Sequence, residues 1–135
     1  MAPAFTDATT GGFDHLYGLE LVEVGEGCAR GQVAVRDELL QPLGVVRGAV
    51  LAAIAETITA IATRQAIAGD GRTASALSSQ MSFLRPIAEG TIHARAIAKH
   101  RGRTTWVWEV ELADDQDRLS ALARITLALS EPSGG

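Results

Sequence analysis

The longest regular pattern in the chain is an apolar helical repeat between residues 48 and 68. Large apolar residues recur there at three- and four-residue spacing, and Gly69-Asp70-Gly71 follows as a stop signal. Most other positions are Ala or Thr, so we predict a helix that is nearly enclosed by the rest of the fold. Glu56 is the single acid within this run. Because an ionised carboxylate is costly to bury without a partner, Glu56 calls for an explanation.

Alternating apolar and polar positions predict strands on both sides of this helix, with a short helical turn at residues 13–17. Segments rich in Gly, Pro and Asp separate the strands. The pattern indicates an α+β domain in which a single antiparallel sheet packs on one long helix. We expect the first two strands to form a hairpin and the last four an antiparallel meander. The predicted strands are residues 19–24, 28–35, 73–84, 91–100, 104–113 and 119–130.

The length of 135 residues favours one domain with a hydrophobic core. An apolar fraction of 47% and a charged fraction of 21% are typical of a globular protein. We expect a flexible N-terminal arm at 1–12, a single domain at 13–130 and a flexible tail at 131–135.

Charge and cysteine content exclude some classes of function. The formal net charge of −4 argues against broad nucleic-acid binding, which needs a surplus of Lys and Arg. Cys28 is the only cysteine, so no internal disulfide or Cys-based zinc site is expected, and the three histidines lack metal-ligand spacing. With no secretory signal, and with Glu56 and Arg64 interrupting the apolar helix, we expect a cytoplasmic protein without a membrane span or a metal.

Four short segments, in their order and spacing, resemble the hotdog-fold acyl-CoA thioesterases. The similarity is to 4-hydroxybenzoyl-CoA thioesterases that carry their acid on the central helix, and to phenylacetyl-CoA thioesterases. It covers residues 13–129 and implies a hotdog fold, with an antiparallel sheet wrapped around one long central helix. The segments are Gln41-Pro-Leu-Gly-Val-Val-Arg-Gly-Ala-Val, Glu56-Thr, Ser82-Phe-Leu-Arg-Pro and Gly102-Arg-Thr-Thr-Trp-Val-Trp.

The resemblance implies hydrolysis of a small acyl-CoA, with an aromatic acyl group as a candidate and no cofactor apart from the CoA of the substrate. Glu56 matches the catalytic carboxylate, which acts as nucleophile or as general base. Gly48 matches the residue whose N–H polarises the thioester carbonyl, and Gln41 matches a glutamine near the attacked group. Other positions fall where the family contacts the CoA moiety: Asp14, Arg85, Arg103 and Thr104.

Among the positions that depart from the family pattern, two bear most directly on the substrate and the attacking water. Arg47 stands where the family has histidine, and because arginine stays protonated it cannot serve as an acceptor. We interpret it as a contact for a carboxylate or for an acidic acyl group. The threonine expected one turn beyond the acid is Ala60, and the adjacent Thr59 is a candidate for contacting the substrate.

The chemistry agrees with these residue types. A helix N-terminus offers unpaired N–H groups to a developing oxyanion, and a carboxylate is ionised near neutral pH. However, Gly48 and Glu56 are eight residues apart, or roughly 12 Å along one helix axis at ~1.5 Å per residue. One thioester carbon cannot easily be close to both. We therefore predict an active site across a dimer interface. The protein should be at least a homodimer, and we expect a homotetramer.

Plainer interpretations stay open at this point. Glu56 could be a structural acid paired with an arginine, and Gly48 a close-packing residue at a helix start. For function, the first alternative is a non-catalytic acyl- or CoA-binding hotdog module, which the presence of Arg47 suggests. A dehydratase or hydratase on the same fold is disfavoured because no His/Asp pair lies where the helix begins. Fold analogy by itself does not choose among them.

Overall fold

A computed structural model describes residues 12–131, so the predictions for the terminal arm and tail lie almost entirely outside the described residues. The fold has two helices and six strands. The strands form one sheet, and the longer helix packs on its inner face. A 3₁₀ turn at Asp37–Leu39 precedes the long helix and another at Ala68–Asp70 follows it. The helices are α1 (Phe13–Tyr17) and α2 (Gly48–Ile67), and the strands are β1 (Glu20–Gly25), β2 (Cys28–Ala34), β3 (Thr73–Phe83), β4 (Thr91–Arg101), β5 (Thr105–Ala113) and β6 (Leu119–Ser130).

The sheet confirms the antiparallel arrangement around one helix but not the predicted meander. Its strand order is β1-β2-β4-β5-β6-β3, so β3 pairs with β6 and not with β4. β4 instead continues the hairpin by pairing with β2. The alternation of apolar residues identifies a strand but not its neighbour, and the connection after β3 carries the chain across the sheet.

Small residues on the inner face of the sheet allow α2 to pack closely. A Cβ placed on Gly31 of β2 would lie 3.1 Å from Ile58 Cγ2 on the helix. Strands β4 and β6 present alanines to the same side, each with at most 2% of its surface exposed. These alanines are Ala94, Ala96, Ala121 and Ala123. The large apolar side chains of the helix, among them Ile54 and Ile58, are fully buried against this surface.

One side of α2 is not covered, contrary to the expectation of a nearly enclosed helix. Ala49, Glu56 and Arg64 are exposed, and Ala52 and Ala53 are only partly buried. These positions follow helical spacing and share one face. The sheet therefore wraps around part of the helix and leaves a narrow stripe of small residues with one acid at the surface.

Glu56 and Arg64 do not make the long helix too polar to span a membrane, contrary to the expectation from the sequence. Despite Glu56 and Arg64, the segment Gly48–Asp70 is long and apolar enough to cross a membrane by length and composition. However, 56% of its most apolar window is buried inside the fold. Such burial is typical of the core helix of a globular domain.

A buried hydrogen-bond chain fixes the helix against the middle of the sheet. Trp108 of β5 is fully buried, and its indole Nε1 donates to Thr63 Oγ1 at 2.9 Å. The Thr63 hydroxyl in turn donates to the Thr59 carbonyl at 2.7 Å. Because the indole N–H has to be satisfied inside the core, this contact restricts the rotation and translation of α2 over the sheet.

We expect Thr63→Val to lower the free energy of unfolding by about 1–3 kcal/mol, because it leaves the buried Trp108 N–H without an acceptor while keeping the side-chain volume. Urea denaturation measures this change. Thr126→Val, at a partly buried threonine of β6, is the control and should change stability by less than about 0.5 kcal/mol. A Thr63→Val protein as stable as the parent would contradict the prediction.

Candidate active site

A pocket of about 370 Å³ opens at the N-terminal end of α2. The predicted site residues Gln41, Gly48 and Arg85 all line it, although they come from three different parts of the chain. Its walls are otherwise mostly apolar, with Leu51, Phe83 and Ser120 among the lining residues. A mainly apolar pocket with a few convergent polar groups is the usual form of a small-molecule site.

A tight loop places Gln41 beside the start of the helix. Gln41 N donates to Val45 O at 2.8 Å, and Gly44 N donates to Gln41 O at 2.8 Å. Gly44 has φ of 84°, a left-handed conformation that favours glycine. The isolated bridge between Leu40 and Val46 closes the base of this loop. The pair Pro42 and Gly44 thus explains why residues 41–45 reverse direction here.

The first turn of α2 has no side-chain cap. Arg47 occupies the N-cap position with extended backbone, and it makes no side-chain hydrogen bond to the helix. Its side chain is exposed. The N–H groups of the first turn are therefore free of a cap from Arg47, and the positive end of the helix dipole lies beside Gly48 and the pocket.

Glu56 lies outside this pocket, on the exposed stripe of the same helix. The ion pairs found within residues 12–131 include neither Glu56 nor Arg47. This removes the interpretation of Glu56 as a structural acid paired with an arginine of the same chain. Because α2 runs without a break from Gly48 through Glu56, the two residues keep the separation of roughly 12 Å expected from helix geometry.

Asp14 is held between α1 and α2. Its Oδ1 accepts hydrogen bonds from the Tyr17 hydroxyl at 2.7 Å and from the Thr57 hydroxyl at 2.8 Å. Burial, with a smaller contribution from Asp14, raises the pKa of the Tyr17 phenol well above its ordinary value, so it remains a donor. Asp14 thus joins α1 to α2 at Thr57, the residue after Glu56, and its contact with CoA stays a prediction.

Thr59 lies inside the core and not on the surface of the site. It is fully buried, and its hydroxyl donates to the carbonyls of Ala55 and Glu56 at 2.8 and 3.1 Å. The hydroxyl is thus committed to its own helix, and this placement does not favour a contact with the substrate. The proposed contact stays a prediction.

Arg103 and Thr104 lie in the β4–β5 turn, at the other end of the sheet from the pocket. The Arg103 carbonyl accepts from Arg72 Nη1 at 2.7 Å, and the Thr104 carbonyl accepts from Leu129 N at 2.9 Å. Both side chains are exposed. Within one chain the structure therefore does not bring them together with Gln41, Gly48 and Arg85.

The structure adds two features that the sequence did not reveal. Phe83 lies against Gly48, and Tyr17 with Thr57 holds Asp14 in place. Phe83 belongs to the Ser82-Phe-Leu-Arg-Pro segment, so its neighbourhood was recognisable, but its role depends on a contact between distant parts of the chain. No group of three His, Cys, Asp or Glu side chains in residues 12–131 could hold a metal ion, and metal independence stays a prediction.

Comparison with known proteins gives a consistent family. The profile of the thioesterase superfamily matches residues 43–121. A Mycobacterium tuberculosis protein named "Putative esterase" is 36% identical over 117 residues, covering 85% of this chain and 84% of that protein. The 1,4-dihydroxy-2-naphthoyl-CoA hydrolase of Listeria monocytogenes is 30% identical over 120 residues, covering 89% of this chain and 97% of the hydrolase.

A solved structure supports the same assignment. The crystal structure of a thioesterase from Haemophilus influenzae superposes with a TM-score of 0.85 at 26% sequence identity, covering 98% of this chain and 89% of that one. Its fold agrees with the sheet and central helix described above. The profile match over more than half of the chain, together with these relatives, shows that the protein is a hotdog-fold hydrolase that belongs to the thioesterase superfamily.

Proposed function

We propose that the protein hydrolyses a small acyl-CoA to the free acid and CoA, with an aromatic acyl group as the first candidate. The observation that carries this proposal is the convergence of Gln41, Gly48 and Arg85 on one pocket at an uncapped helix N-terminus. The family membership agrees with it, as does the likeness to the 1,4-dihydroxy-2-naphthoyl-CoA hydrolase of Listeria monocytogenes. The reaction needs no metal in this proposal.

The chemistry follows from the position of each group. The N–H at Gly48 would donate to the thioester oxygen as it becomes an oxyanion, aided by the helix dipole. Glu56 would attack the carbonyl carbon as nucleophile, or take a proton from the attacking water as general base. Gln41 would hold the attacked group in place. On the general-base route, the water oxygen bonds to the acyl carbon and the C–S bond breaks. On the nucleophilic route, the C–S bond breaks to give a mixed anhydride between the acyl group and Glu56, which water then hydrolyses. On either route CoA leaves as a thiolate and takes up a proton that the attacking water has released.

The unpaired edge of β3 supports a dimer. This strand has eleven residues, no charged side chain and no proline, and most of its positions are exposed. The opposite edge strand, β1, carries Glu20 and Glu23. Edge strands that stay unpaired are usually protected by charges or proline, so the β3 edge fits antiparallel pairing with a second copy. The homotetramer stays a prediction.

Twofold pairing along β3 would also complete the site. The pocket lies at the end of β3, next to Phe83, whereas Arg103 and Thr104 lie at its beginning, near Arg72. An antiparallel partner runs in the opposite direction. Its β4–β5 turn and its Glu56 would therefore approach the pocket of the first chain, which would bring the CoA-binding candidates Arg103 and Thr104 to Gly48. Arg85, Arg47 and Asp14 would supply further CoA or acyl contacts.

A non-catalytic acyl- or CoA-binding module is the second candidate. The observation that favours it is Arg47, an exposed cation at the position where the family carries histidine. Incubation with benzoyl-, phenylacetyl- and short-chain acyl-CoA separates the two functions. An enzyme releases free thiol, whereas a binding module raises the melting temperature with CoA but releases none.

We expect Glu56→Gln to lower kcat for the preferred acyl-CoA by about 100-fold or more, because the group that attacks or takes the proton is lost. Since the side chain is exposed, the melting temperature should stay within about 2 °C of the parent. Thiol-release kinetics and thermal denaturation measure the two quantities. Glu26→Gln, at an exposed turn acid, is the matched control. Normal kcat in the Glu56→Gln protein would refute the catalytic assignment.

Mixed dimers test whether the site is shared between chains. A Glu56→Gln chain and a Gly48→Ala chain, whose added methyl group would displace Phe83 beside the N–H donor, are co-expressed with different affinity tags after each is shown to be impaired alone. If Gly48 and Glu56 act across the interface, one of the two sites in each mixed dimer is intact, and the purified mixed dimer should show about half the parental activity. If both residues act within one chain, mixing restores no activity, and that result would exclude the shared site.

A further inference from the structure

Phe83 is held at the mouth of the pocket by the end of β3. It pairs in register with the buried Ala121, so its side chain lies on the same face of the sheet as α2. The following backbone is fixed, since Leu84 N and Arg85 N both donate to Ser120 O, at 2.8 and 3.1 Å. The residue as a whole stays 58% exposed. Phe83 is therefore a large apolar residue whose backbone is anchored and whose side chain lines the pocket.

The tip of this ring lies directly over the start of α2. A Cβ built on Gly48 would lie 2.8 Å from Phe83 Cζ, 2.9 Å from Cε1 and 3.3 Å from Cε2. Gly48 is helical and is not among the residues with positive φ. Its backbone would therefore accept alanine without strain, and the contact with Phe83 is what favours glycine at this position, since a methyl group would displace the ring.

We infer that Phe83 is a specificity-determining residue, whose ring forms the wall of the pocket beside the N–H groups at Gly48 and limits the size of the acyl group. This inference rests on the proposed function. A thioester whose carbonyl reaches the N–H of Gly48 places an atom bonded to the carbonyl carbon next to the ring, since the ring tip and the helix start are in contact. We assign the acyl side of the thioester to this position, with the sulfur directed away toward the CoA contacts. Bulky acyl groups meet the ring, and small ones pass beside it.

The wall predicts a shift in acyl preference. In Phe83→Ala the ratio of kcat/KM for phenylacetyl-CoA to that for acetyl-CoA should rise by about tenfold or more, because the larger acyl group gains space and the smaller one loses a contact. Phe83→Leu should give a smaller shift in the same direction. Leu43→Ala, which removes an apolar side chain that is 84% exposed and does not line this pocket, is the control and should leave the ratio unchanged.

The outcomes separate this inference from the proposed function. In one outcome the parent protein hydrolyses these thioesters, while Phe83→Ala and Phe83→Leu change the ratio of the two kcat/KM values by less than about twofold. That result would overturn the role of Phe83 and leave the thioesterase function intact. A parent protein that hydrolyses none of the acyl-CoA substrates overturns the proposed function, and with it the role of Phe83 in acyl selection.

A double-mutant cycle tests the underlying contact without using activity. Gly48→Ala should lower the melting temperature by about 4 °C or more when Phe83 is present, because the new methyl group meets the ring. In the Phe83→Ala background the same change should leave the melting temperature unchanged or raise it, since alanine is the better helix former. Equal effects in the two backgrounds would show that the ring does not constrain Gly48, and would overturn the inference.

Discussion

The close approach of α2 to the inner face of the sheet is the constraint on which the rest of the structure depends. Gly31 and the alanines of β4 and β6 leave room for Ile54 and Ile58, and the Trp108 to Thr63 hydrogen bond fixes the helix in register. Burial alone is not directional, so large apolar residues would allow several positions of a smooth helix. The indole N–H selects one of them, because an unsatisfied donor in the core is costly.

That fixed position determines what each end of the helix can do. Its N-terminus meets Gln41 and the segment 83–87 around a pocket, with Phe83 resting on Gly48. Its middle presents Glu56 on a stripe of small residues that the sheet does not cover. The N–H of Gly48 and the carboxylate of Glu56 lie eight residues apart on one unbroken helix, so the helix geometry keeps them separated. A single chain therefore does not bring the proposed donor, Gly48, together with the proposed acid, Glu56, which is why we propose that a second copy completes the site.

The identity of Gly48 illustrates how two explanations for one residue can coexist. A glycine at a helix start suits the approach of a thioester oxygen to its N–H, and it also suits the close packing of an aromatic ring. The distances show that the second reason holds within the single chain, because any side chain would meet Phe83. The two reasons are compatible, since a ring seated beside the N–H donors is also the wall that an acyl group would contact.

The sequence by itself determined the kinds of element and the family. Apolar spacing located α2 and all six strands to within a few residues, and Gly69-Asp70-Gly71 marked the end of the helix, where Gly71 adopts φ of 72°. These features depend on neighbours along the chain. Short segments around Gln41, Glu56 and Phe83 likewise indicated the thioesterase family, now shown by the comparisons.

Only the tertiary structure decided which parts meet. It placed β3 beside β6, buried Thr59, left Glu56 exposed and bound Asp14 to Tyr17 and Thr57. Strand order and side-chain contacts join residues that are far apart along the chain, and periodicity carries no information about such pairs. The physical reason is that hydrogen-bond partners and steric contacts, such as that of Phe83 with Gly48, arise only when the packed core has brought separate segments together.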